Sequence, residues 1–377
     1  MKILTNVQTG YLSGISQTFG SFLTYLKKGG KQIKVTGVDI QNIKGEENWS
    51  TRQKRSNFTL LSTFCRVPNI GDTVSKSQSL AEVEAIYEGV IGKYQEILQS
   101  EKPDLVLLNG TYFLPWCLDV ASRNLKIPTV LHYHGILSKE VAHWEDHSRI
   151  LLEQMEKSFD RKDMFYIFPS NLAKDVVENE VFKHSIKHAS VLPNPIPRYF
   201  FDVVRKQNSK NIGIVSRWTR VKNPSFILKL ARHNKKHGDR FQVNVITDLA
   251  KGTKSYRELA GIAKFRGSMD NERLAKFYAS MAVVVSPSHF ETYGNVAQEA
   301  LASSTPALVS SQMGVSETFR KLGLSDWIVD FNSVRDVYSK MKEMSKQGVS
   351  PKVKQMIFNE FSSEIVNRQL LDILVAV

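Results

Sequence analysis

Two carboxylates, Glu291 and Glu299, stand eight positions apart in SHFETYGNVAQEALASSTP, which runs from Ser288 to Pro306. Between them the turn Tyr293-Gly294-Asn295 separates an apolar run, AVVVS, from a helical pattern. The first amides of a helix lack internal partners and carry partial positive charge. They make a ready anion site, and Gly294 lets a ligand come close to the backbone. Glu291, just before the turn, can accept hydrogen bonds from hydroxyls. Glu299 lies about one turn into the helix, four positions from Asn295 and on the same face. A carboxylate near a phosphate-binding helix start commonly receives the two hydroxyls of a ribose. The block from Glu291 through Thr292, Tyr293, Gly294 and Asn295 to Glu299 therefore reads as a seat for a sugar, a diphosphate and a nucleoside laid in line. Acids near a helix start can also simply complement its dipole. That is a fair account of Glu299 alone and a poor one of the whole block.

The matching cations are Arg217 and Lys222 in GIVSRWTRVKN, both just past the strand-like NIGIV. Arginine makes two-point contacts to phosphate, and lysine supplies a point charge. Together they could stabilise charge growing on a leaving diphosphate. Arg220, between them, is the weaker candidate, and each cation alone could be a solvated surface charge. No Asp-x-Asp occurs in the chain, so the diphosphate is expected to be neutralised by the protein's own cations, with no metal and no cofactor. His134, in TVLHYHG, can donate to a hydroxyl or carbonyl near a reacting carbon. His132 alternates with it on the same face, so the sequence leaves open which of the two faces the ligand. Gly10 and Gly14, in TGYLSG, would let the backbone approach the diphosphate, although this loop is not a dinucleotide Gly-x-Gly-x-x-Gly.

Strands must carry these residues to one end of a sheet. In the first half KILTNV, IKVTGVDI, PDLVLLNG, IPTVLHYHG and MFYIFPS read as strands, and NFTLLSTFC is β-like but ambiguous. SGISQTFGSFLTYLKKG and SLAEVEAIYEGVIGKYQEILQS have helical spacing. VLPNPIPRYF then carries Pro193, Pro195 and Pro197, which disfavour helix and central strand. With the polar RKQNSKN after it, this stretch reads as an interdomain connection. The pattern restarts with strands in NIGIVSR, FQVNVIT, AVVVSPS and PALVSS, separated by helical NPSFILKLARHNKK, NERLAKFYASM and VAQEALAS. Such alternation predicts an α/β protein with parallel sheets covered on both faces. The expected domains are 1–195 and 196–357. Ligands of open parallel sheets sit at the carboxyl ends of strands. TGYLSG, HYHG, SRWTRVKN and SHFETYGN are therefore expected to line one central cleft.

At 377 residues the chain is long enough for two domains. Hydrophobic residues at 42% and charged ones at 23% support ordinary cores and argue against disorder. The net charge of +14 suits an anionic partner, or serves solubility alone. Basic residues are scattered and not interleaved with aromatics, so nucleic acid is not an expected partner. Cys65 and Cys117 have no ligand-like spacing, which argues against a disulfide framework or a zinc site. No apolar run approaches the ~18 residues of a spanning helix, and no signal core is present, so the expected address is the cytoplasm. STRQKRSNFTLLSTF mixes cations with apolar residues and could rest peripherally on the inner, anionic face of a membrane carrying a lipid-linked acceptor. A basic loop before an ordinary strand is the simpler reading.

At the residues singled out above, the sequence resembles the retaining glycosyltransferases of family 4, which have the GT-B fold. The early glycine loop, TVLHYHG, VLPNPI, SRWTRVKNP and SPSHFETYGNVAQEALASSTPALVSS match in order across nearly the whole chain. The last is the specific segment, resembling that family's Glu-x7-Glu motif. The resemblance implies two Rossmann-like domains facing a cleft, with a last helix, about 358–377, returning to the first. It implies that Glu291 contacts donor-sugar hydroxyls and that the amides of Thr292 to Asn295 hold sugar and phosphate. Glu299 would bind the ribose, Arg217 and Lys222 the diphosphate, and His134 would stand near the reacting sugar. The sequence departs from the family pattern at Ser216, Pro195 and Ser304, each standing where a glycine is frequent. These exchanges bear on loop geometry and leave the charged positions intact.

The expected reaction is transfer of a hexose from a nucleotide-diphosphate sugar, with UDP or GDP as the nucleotide, to an acceptor hydroxyl with retention. The acceptor would be a glycan or lipid-linked glycan in polysaccharide or glycolipid assembly. The rival within enzymes is a sugar-nucleotide epimerase on the same fold. The rival from another class is a basic nucleic-acid-binding protein.

Overall fold

The computed structural model describes residues 1–7, 14–27, 33–42, 50–55 and 57–377. Gly10 lies outside the described residues, and Gly14 opens the helix Gly14–Lys27. The chain divides into two units. The first comprises Met1–Pro169, Ala173–Leu192 and Asn367–Val377, and the second Ser170–Leu172 and Pro193–Val366.

Among the described residues the first unit has eight strands: β1 (Lys2–Asn6), β2 (Lys34–Asn42), β3 (Ser50–Arg55), β4 (Phe58–Cys65), β5 (Leu105–Asn109), β6 (Thr129–His132), β7 (Met164–Phe168) and β8 (Ala189–Val191). Their order across the sheet is β3-β4-β2-β1-β5-β6-β7-β8. All pairs are parallel except β3 with β4. Helices cover both faces of such a sheet, so its central strands read as unbroken apolar runs; all of Leu105–Asn109 is buried. The polar STRQKR, read from sequence as a loop, is the antiparallel edge strand β3. Charged side chains suit an edge, because they discourage pairing with another chain. Part of the expected proline-rich connection is also strand, since β8 pairs with β7 before the prolines begin. Within this unit Asn367 Nδ2 donates to Ser21 Oγ at 2.8 Å, tying the last helix, Ser363–Ala376, to the first.

The second unit has five strands, all parallel: β9 (Asn211–Val215), β10 (Gln242–Ile246), β11 (Lys264–Arg266), β12 (Val283–Ser286) and β13 (Ala307–Val309). Their order is β11-β10-β9-β12-β13. The three-residue β11 was too short and too polar to be read from sequence. Both sheets reverse their winding at one place, between β1 and β5 in the first and between β9 and β12 in the second. At such a switch point the loops leaving neighbouring strands diverge to opposite faces and open a crevice beyond the strand ends. Among the described residues no helix is long and apolar enough to cross a membrane.

One departure from the glycosyltransferase pattern has a structural cost. Ser304 follows the helix Asn295–Ala302 with φ 63, the left-handed region. Its N–H donates to Leu301 O, and Thr305 N–H donates to Ala300 O, both at 2.9 Å, in a helix-ending motif that glycine usually fills. A Cβ there costs about 1–2 kcal/mol. Glycine returns part of that gain through its freer unfolded state. Ser304→Gly is expected to stabilise the fold by about 0.5–1 kcal/mol, read as a higher urea midpoint at unchanged slope. A lower midpoint would contradict the strain.

Candidate active site

The second unit's switch point is where its candidate residues converge. Past β9 the chain makes one 3-10 turn, Arg220–Lys222, and Asn223 then takes the left-handed conformation at φ 54. The Asn223 side chain accepts from Phe226 N at 3.2 Å and caps the helix Pro224–Lys236, which pins Lys222 just ahead of the helix start. Trp218 N donates to Asp248 Oδ1 at 2.6 Å, holding the loop from the β10 side. Past β12, His289 N donates to Val221 O at 2.8 Å and stitches the two switch-point loops together.

This stitching places Lys222 Nζ 3.0 Å from Glu291 Oε1, and Ser288 Oγ donates to the same oxygen at 2.6 Å. Both charged side chains are mostly covered, at 21% and 16% exposure, so water screens the pair less than an open one. Arg217, also just past β9, is exposed, and its guanidinium has no hydrogen-bond or ion-pair partner among the described residues.

The backbone after Glu291 is tied down by its carbonyls. Gly314 N donates to Glu291 O at 3.0 Å, Ser170 Oγ to Thr292 O at 2.6 Å, and Val315 N to Tyr293 O at 2.7 Å. Gly294 then turns the chain at φ 121 into the helix Asn295–Ala302. A Cβ at Gly294 would lie 2.8 Å from Met313 Cε and 2.9 Å from Val315 Cγ1, so position and φ both require glycine. The amides of Gly294, Asn295 and Val296 have no acceptor among the described residues. The Tyr293 side chain belongs to the core, where its hydroxyl contacts Gln298 Oε1 at 2.8 Å and Thr318 Oγ1 at 3.1 Å. Only its backbone is available to a ligand. Asn295 Oδ1 accepts from Asn194 Nδ2 at 2.7 Å.

Glu299 is buried one turn deeper and accepts from Tyr278 OH at 3.0 Å. Burial pushes its carboxyl up to about 8, opposed by the Tyr278 hydrogen bond. With an ordinary value of 4.5 in the unfolded chain, Glu299 takes up a proton on folding between those two pH values. The stability this confers is complete below pH 4.5 and is lost as pH rises through about 8. Glu299→Gln is therefore expected to lose less stability than the wild type between pH 6 and 9 in calorimetric melts. Equal slopes would show that Glu299 is ionised throughout.

In the first unit the switch point holds a polar network. Asn109 Nδ2 donates to Thr5 Oγ1 at 2.7 Å and to Asn6 O at 3.3 Å, and Asn109 N donates to Asn6 Oδ1 at 2.8 Å. These bonds orient the Asn109 amide, leaving Oδ1 to face His134 Nε2 at 3.4 Å. The network thus assigns the His134 proton to Nε2. Burial, and secondarily His132, hold the His134 ring well below the usual histidine range, so it is neutral at pH 7. Strand β6 ends at His132, two residues before His134. His132 is 3% exposed, its Nε2 has no hydrogen-bond partner among the described residues, and burial lowers its pKa to about 4. Its ring packs 4.2 Å from that of His134, which is only half-buried. Of the two histidines, His134 is the more accessible. Just beyond, the buried Glu156 accepts from Leu137 N at 2.8 Å and Ser138 N at 2.9 Å, fixing the segment after Gly135.

Several of these partners were not singled out from sequence: Thr5, Asn6, Asn109, Glu156, Ser288 and Tyr278. For Asn109 a signal existed, since an Asn-Gly ends the otherwise apolar PDLVLLNG. Ser288 lies only three residues before Glu291 and carries no mark of its own, and the remaining four become partners through tertiary packing, which local patterns do not reveal.

Residues 195–360 match the family model described as Glycosyl transferases group 1. Over 357 residues, covering 84% of this chain and 75% of the relative, the sequence is 27% identical to a D-inositol 3-phosphate glycosyltransferase of Corynebacterium kroppenstedtii. A shorter match, 40% identical over 68 residues, is to an uncharacterized glycosyltransferase of Methanocaldococcus jannaschii; it spans 18% of this chain and 17% of that relative. Among solved structures, sucrose-phosphate synthase from Thermosynechococcus elongatus superposes with TM-score 0.74 at 14% identity, covering 100% of this chain and 98% of that one. The Anabaena protein Alr3699/HepE, solved in complex with UDP and glucose, gives 0.70 at 14% identity with full coverage of both chains. These findings support a glycosyltransferase of the GT-B type. They lend no support to the epimerase or nucleic-acid readings. At such low identities the structural matches establish the GT-B fold alone.

Proposed function

We propose that this chain transfers a hexose from a nucleoside-diphosphate sugar to an acceptor hydroxyl with retention, as a family 4 enzyme carrying the Glu-x7-Glu pattern at Glu291 and Glu299. The observation that carries this reading is the 3.0 Å Lys222–Glu291 pair at the β9–β12 switch point, beside amides that have no acceptor among the described residues. The ammonium and the open amides suit a diphosphate, and the carboxylate suits sugar hydroxyls. Lys222 and Arg217 would take the diphosphate, Glu291 the sugar, and Glu299 the ribose. His134 would stand near the sugar's reacting carbon. The nucleotide is UDP or GDP, and UDP gains support from the ligand named with the Anabaena structure.

As the anomeric C–O bond breaks, its electron pair stays on the diphosphate, where the cations stabilise the charge. The acceptor oxygen bonds to the anomeric carbon on the face the leaving group vacates. Its proton passes to the departing phosphate oxygen, so atoms and charge balance. The carbon between them resembles an oxocarbenium ion. The acceptor is a glycan or lipid-linked glycan of polysaccharide or glycolipid assembly, with the enzyme working in the cytoplasm or against the inner membrane face.

Thermal melts with UDP, GDP and ADP test the donor. The matching nucleotide at a hundred times its Kd should stabilise the fold by about 2.7 kcal/mol, and silence from all three would contradict the reading. Since the cations replace a metal in this scheme, EDTA should leave the transfer rate within about twofold of its untreated value. Loss of activity in EDTA that magnesium restores would overturn the metal-free part.

A further inference from the structure

Helices Pro224–Lys236 and Val334–Met344 pack together in the second unit and leave a recess of about 370 Å³. It is lined by His233, Lys236, His237, Arg335, Tyr338 and Lys342, and by Ser339. Apart from the tyrosine and serine, every lining side chain is basic. None of them belongs to the donor site described above. Three other cations on the same helices are paired: Lys235 with Asp239 at 2.6 Å, Arg232 with Glu258 at 2.9 Å, and Lys340 with Glu343 at 3.1 Å. Lys236, Arg335 and Lys342 have no carboxylate within ion-pair distance among the described residues.

The helix dipole accounts for basic residues in the last turn of Pro224–Lys236. It does not account for Arg335, in the first turn of Val334–Met344, where Asp336 suits the dipole and a cation opposes it. Inside the recess Lys342 Nζ stands 5.0 Å over the Tyr338 ring, and the His233 ring lies 4.1 Å from that of His237. Desolvation, and then His237, Lys342, Arg335 and Lys236, hold His233 below the usual histidine range, which marks the recess as positively charged. The like charges repel, and an anion would relieve that repulsion. The volume lies within the range of small-ligand sites.

We infer that this recess binds a compact phosphate-bearing anion, either a soluble phosphate compound or a phospholipid headgroup. The test is calorimetric titration with inorganic pyrophosphate at low salt, in the wild type, in Lys222→Ala and in the double variant Arg335→Ser/Lys342→Gln. Arg335 is exposed and Lys342 half-buried, so the double variant should melt as the wild type does. The double variant is expected to weaken recess binding ~10-fold or more, while Lys222→Ala leaves it unchanged. Sedimentation with phosphatidylcholine vesicles, with and without phosphatidylglycerol, separates the sources. Vesicle binding lost in the double variant assigns the headgroup, and pyrophosphate binding alone assigns a soluble phosphate. Failure to bind either probe overturns the inference. So does binding that the double variant leaves intact, or that Lys222→Ala alone removes. Because the donor reading is probed by Lys222→Ala and this one by Arg335 and Lys342, either can fail without the other.

Discussion

Replacing Lys222 by alanine is expected to lower kcat/KM for sugar transfer by about 10²–10³-fold, the usual effect of removing one group that stabilises a developing oxyanion. The fold should survive. Glu291 Oε1 keeps its 2.6 Å hydrogen bond from Ser288 Oγ, and a partly screened ion pair contributes only ~1 kcal/mol. Initial rates at varied donor concentration, beside urea unfolding, separate the two effects. A fall in kcat locates the role of Lys222 in the transition state, while a rise in KM alone would make it a ground-state anchor. Lys222→Arg keeps the charge and should recover part of the loss. Wild-type activity in Lys222→Ala would remove the cation from the mechanism.

Gly314→Ala is expected to cost about 3 kcal/mol of stability, at the upper end for overpacking. A Cβ there would run into the Thr292 carbonyl oxygen and Ser170 Oγ. Neither can yield easily, because Ser170 Oγ donates to that same carbonyl and Gly314 N is itself bonded to Glu291 O at 3.0 Å. For a folding unit of this size the melting temperature should fall by roughly 6–12 °C. The backbone that carries Glu291 would shift with it, so the folded fraction should also transfer sugar more slowly. Gly261→Ala is the control: a Cβ at Gly261 meets nothing within 4 Å, and the change should stay within ~0.5 kcal/mol. Equal effects from the two substitutions would contradict the tight fit at Gly314.

Much of this architecture was legible in the sequence because buried parallel strands announce themselves. AVVVS and PDLVLLNG are apolar without alternation, as strands covered on both faces must be, and they became β12 and β5. The polar STRQKR gave no such signal, since an edge strand gains its place by pairing with β4 and not by burial. The three-residue β8 and β11 are too short to carry a period. At the candidate site, types and spacing were enough to single out Lys222 and Glu291. That the two touch follows from β9 and β12 being neighbours, which no local pattern states, while Ser288, three residues before Glu291, joins them from the same loop. Tyr293 shows the opposite limit: it sits among ligand-facing candidates, yet its side chain is core. Ser304 looked like a stiffer residue in a glycine position, and its φ of 63 gives that departure a physical cost.

The central claim is that a nucleoside diphosphate lies against Lys222 and the helix start at Asn295. A crystal structure with a bound UDP- or GDP-hexose tests it most directly. The account predicts phosphate oxygens within hydrogen-bond distance of Lys222 Nζ and of the amides at Gly294 and Asn295, with the hexose hydroxyls on Glu291. Clear density for the diphosphate anywhere away from those groups would contradict it.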